Sequence, residues 1–148
     1  MAGAPPFALE GLDHVVLLVG DMDAARAFYT EVIGCTVDRA LPQYGMLQLR
    51  AGAALIDLVE YSSAEGAWAK PDVAGGRNMD HVALATGPWD PEALRAHLAA
   101  HQVEIVEEGI RYGASGDGLS FYVRDPSGNT VELKGPMPPE GYADPEED

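Results

Sequence analysis

Leu12 to Val19 reads Leu-Asp-His-Val-Val-Leu-Leu-Val, a mostly apolar and partly β-branched run that predicts a buried strand. Asp21 or Asp23 is placed to cap a helix running through Ile33, where Gly34 stops it. Apolar stretches near 35–41, 46–50 and 54–60 predict three further short strands. The order then recurs. A strand is expected over 79–85, and a helix opens with Asp90 as N-cap and Pro91 in its first turn. Strands near 103–109, 119–124 and 129–134 follow, with a longer loop at Arg111 to Gly118. Asp125-Pro126-Ser127-Gly128 carries the turn chemistry that makes the last two strands a hairpin.

The recurrence is visible in the letters as well as in the pattern. Leu12-Asp13-His14-Val15-Val16-Leu17 aligns with Met79-Asp80-His81-Val82-Ala83-Leu84 at an offset of 67 residues, with four of six positions identical. Gly20 and Asp23 fall on Gly87 and Asp90 at the same offset. Each unit closes on a strand with a central acid, Asp57 in one and Glu132 in the other. The pattern is βαβββ twice, an α+β chain with an N-terminal extension over 1–9, modules at 10–61 and 78–135, and a linker at 62–77. The linker, rich in Gly, Ala and Ser, is long enough to act as a lid or to wrap a partner.

Composition narrows the function classes. A length of 148 residues and 47% hydrophobic content fit one compact domain. No apolar run is long enough to span a membrane, and no signal-like segment opens the chain, so a cytoplasmic location is expected. With 24 acidic against 9 basic residues and a net charge of −15, the surface repels nucleic acid and anionic membranes. Cys35 has no partner cysteine and is expected to pack as a small apolar side chain. The acidic, proline-rich tail over 136–148 is expected to be a mobile arm or a disordered end. His97 and His101, four residues apart on the second helix, are read as part of a solvated helix face.

The repeat singles out four residues. His14 and His81 hold equivalent places on first strands, Asp57 and Glu132 on last strands. Alternation puts His14 on a face with Leu12, Val16 and Leu18, and Asp57 on one with Leu55 and Val59. An acid in such apolar company is costly unless it is paired or metal-bound. A divalent cation balances two neutral imidazoles and two carboxylates, and the mixed nitrogen and oxygen ligands suit Zn, Ni, Mn, Co or Fe.

Leu12-Asp13-His14-Val15, Phe28-Tyr29 and the segment Phe121 to Leu133, with its Tyr-x-x-Asp-Pro-x-Gly-x-x-x-Glu spacing, resemble the vicinal-oxygen-chelate superfamily. That group includes glyoxalase I, methylmalonyl-CoA epimerase, extradiol dioxygenases, fosfomycin-resistance transferases and bleomycin-resistance proteins. The resemblance spans about residues 10 to 135. It implies a half-barrel of two βαβββ modules with a metal on the concave face, the last ligand falling on Glu132. Asp57 takes the place of a Glu ligand and is shorter by one methylene, so it stands as fourth ligand or as base.

The resemblance leaves the reaction open. Leu18 stands where glyoxalase I has an arginine for glutathione, and Gln48 where the epimerase has a glutamate base. Gly113, Ala114 and Ser115 stand where a dioxygenase has a histidine, and the acidic tail replaces the basic end of the fosfomycin enzymes. What the enzyme branches share is metal-assisted stabilisation of an enolate or oxyanion on a small oxygen-chelating substrate. Asp57, Glu132 and Tyr122 are the candidate catalytic groups, with Gln48, Ser120, Tyr122 and Arg111 as candidate substrate contacts. A metal-dependent lyase or isomerase is the expected class. The alternatives are a non-heme Fe(II) dioxygenase and a metal-free ligand-binding protein. Small members of the group commonly pair, so a homodimer is expected.

Overall fold

The computed structural model describes residues 6, 8, 10–70, 79–138 and 140–145. The α+β class and the doubled βαβββ plan are both present. The first module comprises β1 (His14–Val19), α1 (Met22–Ala27), β2 (Thr36–Leu41), β3 (Met46–Ala51) and β4 (Ala54–Glu60). The second comprises β5 (Val82–Ala85), α2 (Pro91–Ala100), β6 (Glu107–Gly113), β7 (Gly116–Arg124) and β8 (Thr130–Lys134). Each module builds a four-stranded mixed sheet, in the orders β1-β4-β3-β2 and β5-β8-β7-β6. In each, the first strand runs parallel to the last and keeps one edge open.

Side-chain alternation sorts each sheet into a core face and a site face. Leu17, Leu49, Ile56 and Leu58 of the first sheet join Leu119, Phe121, Val123 and Val131 of the second in one buried cluster with the helical residues Phe28, Tyr29 and Leu98. His14, Gln48 and Asp57, and likewise Tyr122 and Glu132, alternate with these and occupy the opposite faces.

Local chemistry explains the element ends. Asp21 is the cap of α1, its carboxylate accepting from Ala24 N at 3.1 Å. The expected single helix to Ile33 instead widens after Ala27 into a π-helical turn over Phe28–Val32. Phe28 and Tyr29 are both buried in this turn. The strand expected at 103–109 begins only at Glu107, because the preceding residues close α2. Gln102 adopts φ +57° and Val103 N returns to Leu98 O. The loop expected at Arg111 to Gly118 is instead a tight hairpin. Gly113 pairs with Gly116 around Ala114-Ser115, and Gly116 takes the positive φ (+92°) that an L side chain resists. Arg111 therefore sits on a strand.

Two other expectations change. The described part of the tail is docked. Tyr142 donates to Glu108 Oε2 at 3.0 Å, and Asp144 accepts from Ile110 N at 3.1 Å. An aromatic ring and a carboxylate placed against β6 account for that docking, while 146–148 lie outside the described residues. His97 is not simply solvated, since its Nε2 lies 2.9 Å from Val32 O. Of the linker, 62–70 folds back on the first module, with Trp68 Nε1 donating to Tyr44 O; 71–77 lie outside the described residues. No helix among the described residues is long and apolar enough to cross a membrane.

The modules are fastened at the β7–β8 turn. Asp125, only 4% exposed, accepts from Tyr29 Oη at 2.8 Å. It also accepts from Ser127 N and from both the backbone and the side chain of Asn129. Asn129 in turn donates to Leu18 O, and Gly20 N donates to Ser127 Oγ. Burial and the Asp125 carboxylate push the Tyr29 phenol far above its usual range, so it stays a donor. Asp125→Ala should cost about 3 to 5 kcal/mol and Tyr29→Phe about 2 kcal/mol, measured by urea unfolding. A cost below about 1 kcal/mol for Asp125→Ala would remove the fastening role.

Candidate functional site

The first module contributes His14 from β1, Asp57 from β4 and Gln48 from β3. Asp57 is 3% exposed and lies opposite both Val16 and Gln48 in the strand register. Arg39 Nε donates to Gln48 Oε1 at 2.6 Å, and Gln48 Nε2 donates to Asp57 Oδ2 at 3.1 Å. The other carboxylate oxygen, Oδ1, is buried with no hydrogen-bond partner. A buried carboxylate oxygen left without a partner is costly, and a cation bound there would relieve it.

The second module contributes His81, Glu132 and Tyr122. His81 Nε2 lies 3.8 Å from Glu132 Oε1, and Tyr122 meets the imidazole edge-on at 5.4 Å between centroids. Tyr122 pairs with Glu132 across β7 and β8. Burial first, and then Glu132, push the Tyr122 phenol up to about 12, so it is a hydrogen-bond donor at neutral pH. Arg111 lies 5.6 Å over the Tyr122 ring and pairs with Glu107 at 3.4 Å. Ser120, two residues back on β7, is fully covered, and its hydroxyl has no partner.

The histidines are held alike. His14 Nδ1 lies 2.6 Å from Asp13 Oδ2, and His81 Nδ1 lies 2.7 Å from Asp80 Oδ2. A carboxylate at Nδ1 favours the proton there and leaves Nε2 available to a ligand. The hydrogen bond to Asp13 also raises the His14 pKa, against burial, with a smaller contribution from Asp57. Asp13 and Asp80 escaped the reading of single residues. The signal was present, since both belong to the four identical positions of the repeat.

The two half-sites flank one seam. Asn129, at the start of β8, bonds to Leu18 near the far end of β1, while Leu12 and Ala54 share a pocket with Ala83, Leu84, Ala85 and Thr86 at the far end of β5. β1 and β5 therefore lie side by side in opposite directions, with no ladder between them among the described residues. The structure brings His14 near Asp57 and His81 near Glu132. It does not bring the four together: among the described residues, no three His, Cys, Asp or Glu side chains are grouped closely enough to hold a metal. The donor types and the unpartnered Asp57 oxygen fit a divalent ion. Cys35 is buried in the core, where burial pushes its thiol up, and takes no part.

The family model for the glyoxalase/bleomycin resistance protein/dioxygenase superfamily matches residues 11–133. A glyoxalase domain-containing protein of Mycosarcoma maydis is 31% identical, over 85% of this chain and 68% of its own length. The mitochondrial methylmalonyl-CoA epimerase of Bos taurus is 29% identical, over 88% of this chain and 77% of its own. The crystal structure of a virulence protein of Salmonella typhimurium superposes with a TM-score of 0.63 at 26% identity, covering 88% of this chain and all of that one.

Proposed function

Because this chain belongs to the glyoxalase/bleomycin resistance protein/dioxygenase superfamily, we propose that it is a metal-dependent lyase or isomerase acting on a small metabolite with two adjacent oxygens. The observation that carries this reading is the mirrored pair of half-sites. Each has an imidazole oriented by the preceding aspartate and a buried carboxylate on the same sheet, across the β1/β5 seam. The Bos taurus relative is named an epimerase, which supports the isomerase class.

His14, His81 and Glu132, with Asp57 as fourth ligand or as base, would hold the ion. When bound, it supplies an electrophile for the substrate oxygens. The protein's own groups do the rest. Asp57 Oδ1 has no internal partner and can accept a proton, while Gln48, braced by Arg39, fixes the orientation of the carboxylate. The Tyr122 phenol, protonated at neutral pH, can orient an anionic oxygen beside Glu132. The separation of the two pairs favours one rival, a metal-free ligand-binding protein, which predicts no response to metal.

Metal that binds only the folded chain stabilises it by about 4 kcal/mol at a thousandfold excess over Kd. Chelation should therefore lower the melting midpoint by roughly 8–16 °C, and the right ion should restore it. Glu132→Ala should show no such response. An unchanged midpoint after verified metal removal would refute the metalloenzyme reading.

A homodimer is part of the proposal, since small members of this superfamily commonly pair and Leu12, Trp68 and Tyr112 are each exposed apolar side chains. Light scattering at micromolar concentration should give about twice 15.7 kDa. A value near 15.7 kDa would overturn the pairing.

A further inference from the structure

The second half-site opens into a cavity of about 410 Å³ lined by His81 and Glu132, with Arg111 and Lys134 on the same wall. Lys134 lies two residues beyond Glu132 on β8. Alternation therefore sends its side chain from the same face, about 6–7 Å farther along. Short side chains such as Ala83, Ala85 and Gly113 keep the space above the strand clear. At Gly113 a Cβ would come within 3.0 Å of Lys134 Cε, so the glycine makes room for the lysine stem.

The chemistry of this wall is unusual for the chain. The protein carries a net charge of −15, yet two of its nine basic residues meet here. Arg111 is partly balanced by Glu107. Lys134 Nζ donates to Gly116 O at 2.8 Å, and no ion pair among the described residues involves it. An ammonium has three donors, so this bond leaves two for a ligand. Ser120 lies directly opposite Lys134 across β7 and β8, fully covered and with its hydroxyl unpartnered on that same face. Glu132 lies on the same wall, so it is the Lys134 end, two residues farther along β8, whose local field attracts an anion within an acidic protein.

We infer that Lys134, with Arg111, forms a subsite for a carboxylate group of the substrate, so that the metabolite is a small carboxylic acid. The adjacent oxygens reach toward the His81/Glu132 end, and the carboxylate lies along β8 at Lys134. The chelating end of this picture rests on the function proposed above. The anionic end stands on the cavity alone and holds without a metal.

Malonate, with the neutral malonamide as its control, probes the anionic end directly. Titrated into the full-length protein after chelation and followed by NMR chemical shifts, malonate should perturb β6 and β8 and saturate. Malonamide should bind at least tenfold more weakly. Lys134→Gln should weaken malonate binding at least tenfold and Lys134→Arg should retain most of it. Arg26→Gln, an equal change in net charge on the exposed face of α1, should leave it unchanged. Equal binding of malonate and malonamide, or wild-type malonate binding by a folded Lys134→Gln, would overturn the subsite. Because the titration contains no metal, its outcome is separate from the chelation response that tests the metalloenzyme reading.

Discussion

The carboxylate of Asp125 accepts four hydrogen bonds at the joint between the modules, from Tyr29, from Ser127 N, and from the backbone and side chain of Asn129. It is a buried charge, and such a charge is tolerated only when its lone pairs are satisfied. The arrangement that satisfies it is also what sets one sheet against the other. Tyr29 comes from the helical segment of the first module, and the turn comes from the second. Asn129 and Ser127 then bind the end of β1 directly. Each sheet has its own ladders and both share one apolar cluster, to which this acid and its neighbours add the directional bonds that tie the end of β1 to the β7–β8 turn.

That relation decides what the chain can do. His14 and His81 stand at the starts of two strands running in opposite directions along a seam, so each half-site is an approximate two-fold copy of the other. Asp13 and Asp80 each hold an imidazole through Nδ1, an arrangement that favours the tautomer with the proton on that nitrogen. Two neutral imidazoles and two carboxylates cancel the charge of one divalent ion. Asp57 Oδ1 is buried with no hydrogen-bond partner. The Gln48 amide satisfies the other carboxylate oxygen.

Most of the plan could be read from the letters because it rests on short-range rules. The repeat of Asp-His-Val, the cap at Asp90 with Pro91, and the turn at Asp125 to Gly128 each express local backbone chemistry, and the structure contains all three. The sites of misreading have a common cause in long-range contact. The π-helical turn at Phe28–Val32 accompanies the reach of Tyr29 to a residue 96 positions away, which no helical pattern announces. The strand start at Glu107 depends on how α2 closes at Gln102, and a left-handed glutamine carries no sequence signal comparable to glycine. The tail looked like an arm because its charge and prolines dominate its composition. Tyr142 and Asp144 find partners on β6 that composition cannot show. The four candidate ligands were visible through the repeat, whereas the gap between the two pairs is a property of the seam and of no single residue.

We propose that one ion joins both halves across the β1/β5 seam. Calorimetric titration of the metal-free protein with a divalent ion tests it through stoichiometry. One ion per chain is expected, with tight binding lost in His14→Ala and equally in His81→Ala, because each removes a ligand from the same ion. Two ions per chain, or full affinity in His14→Ala at a site made by His81 and Glu132 alone, would contradict it.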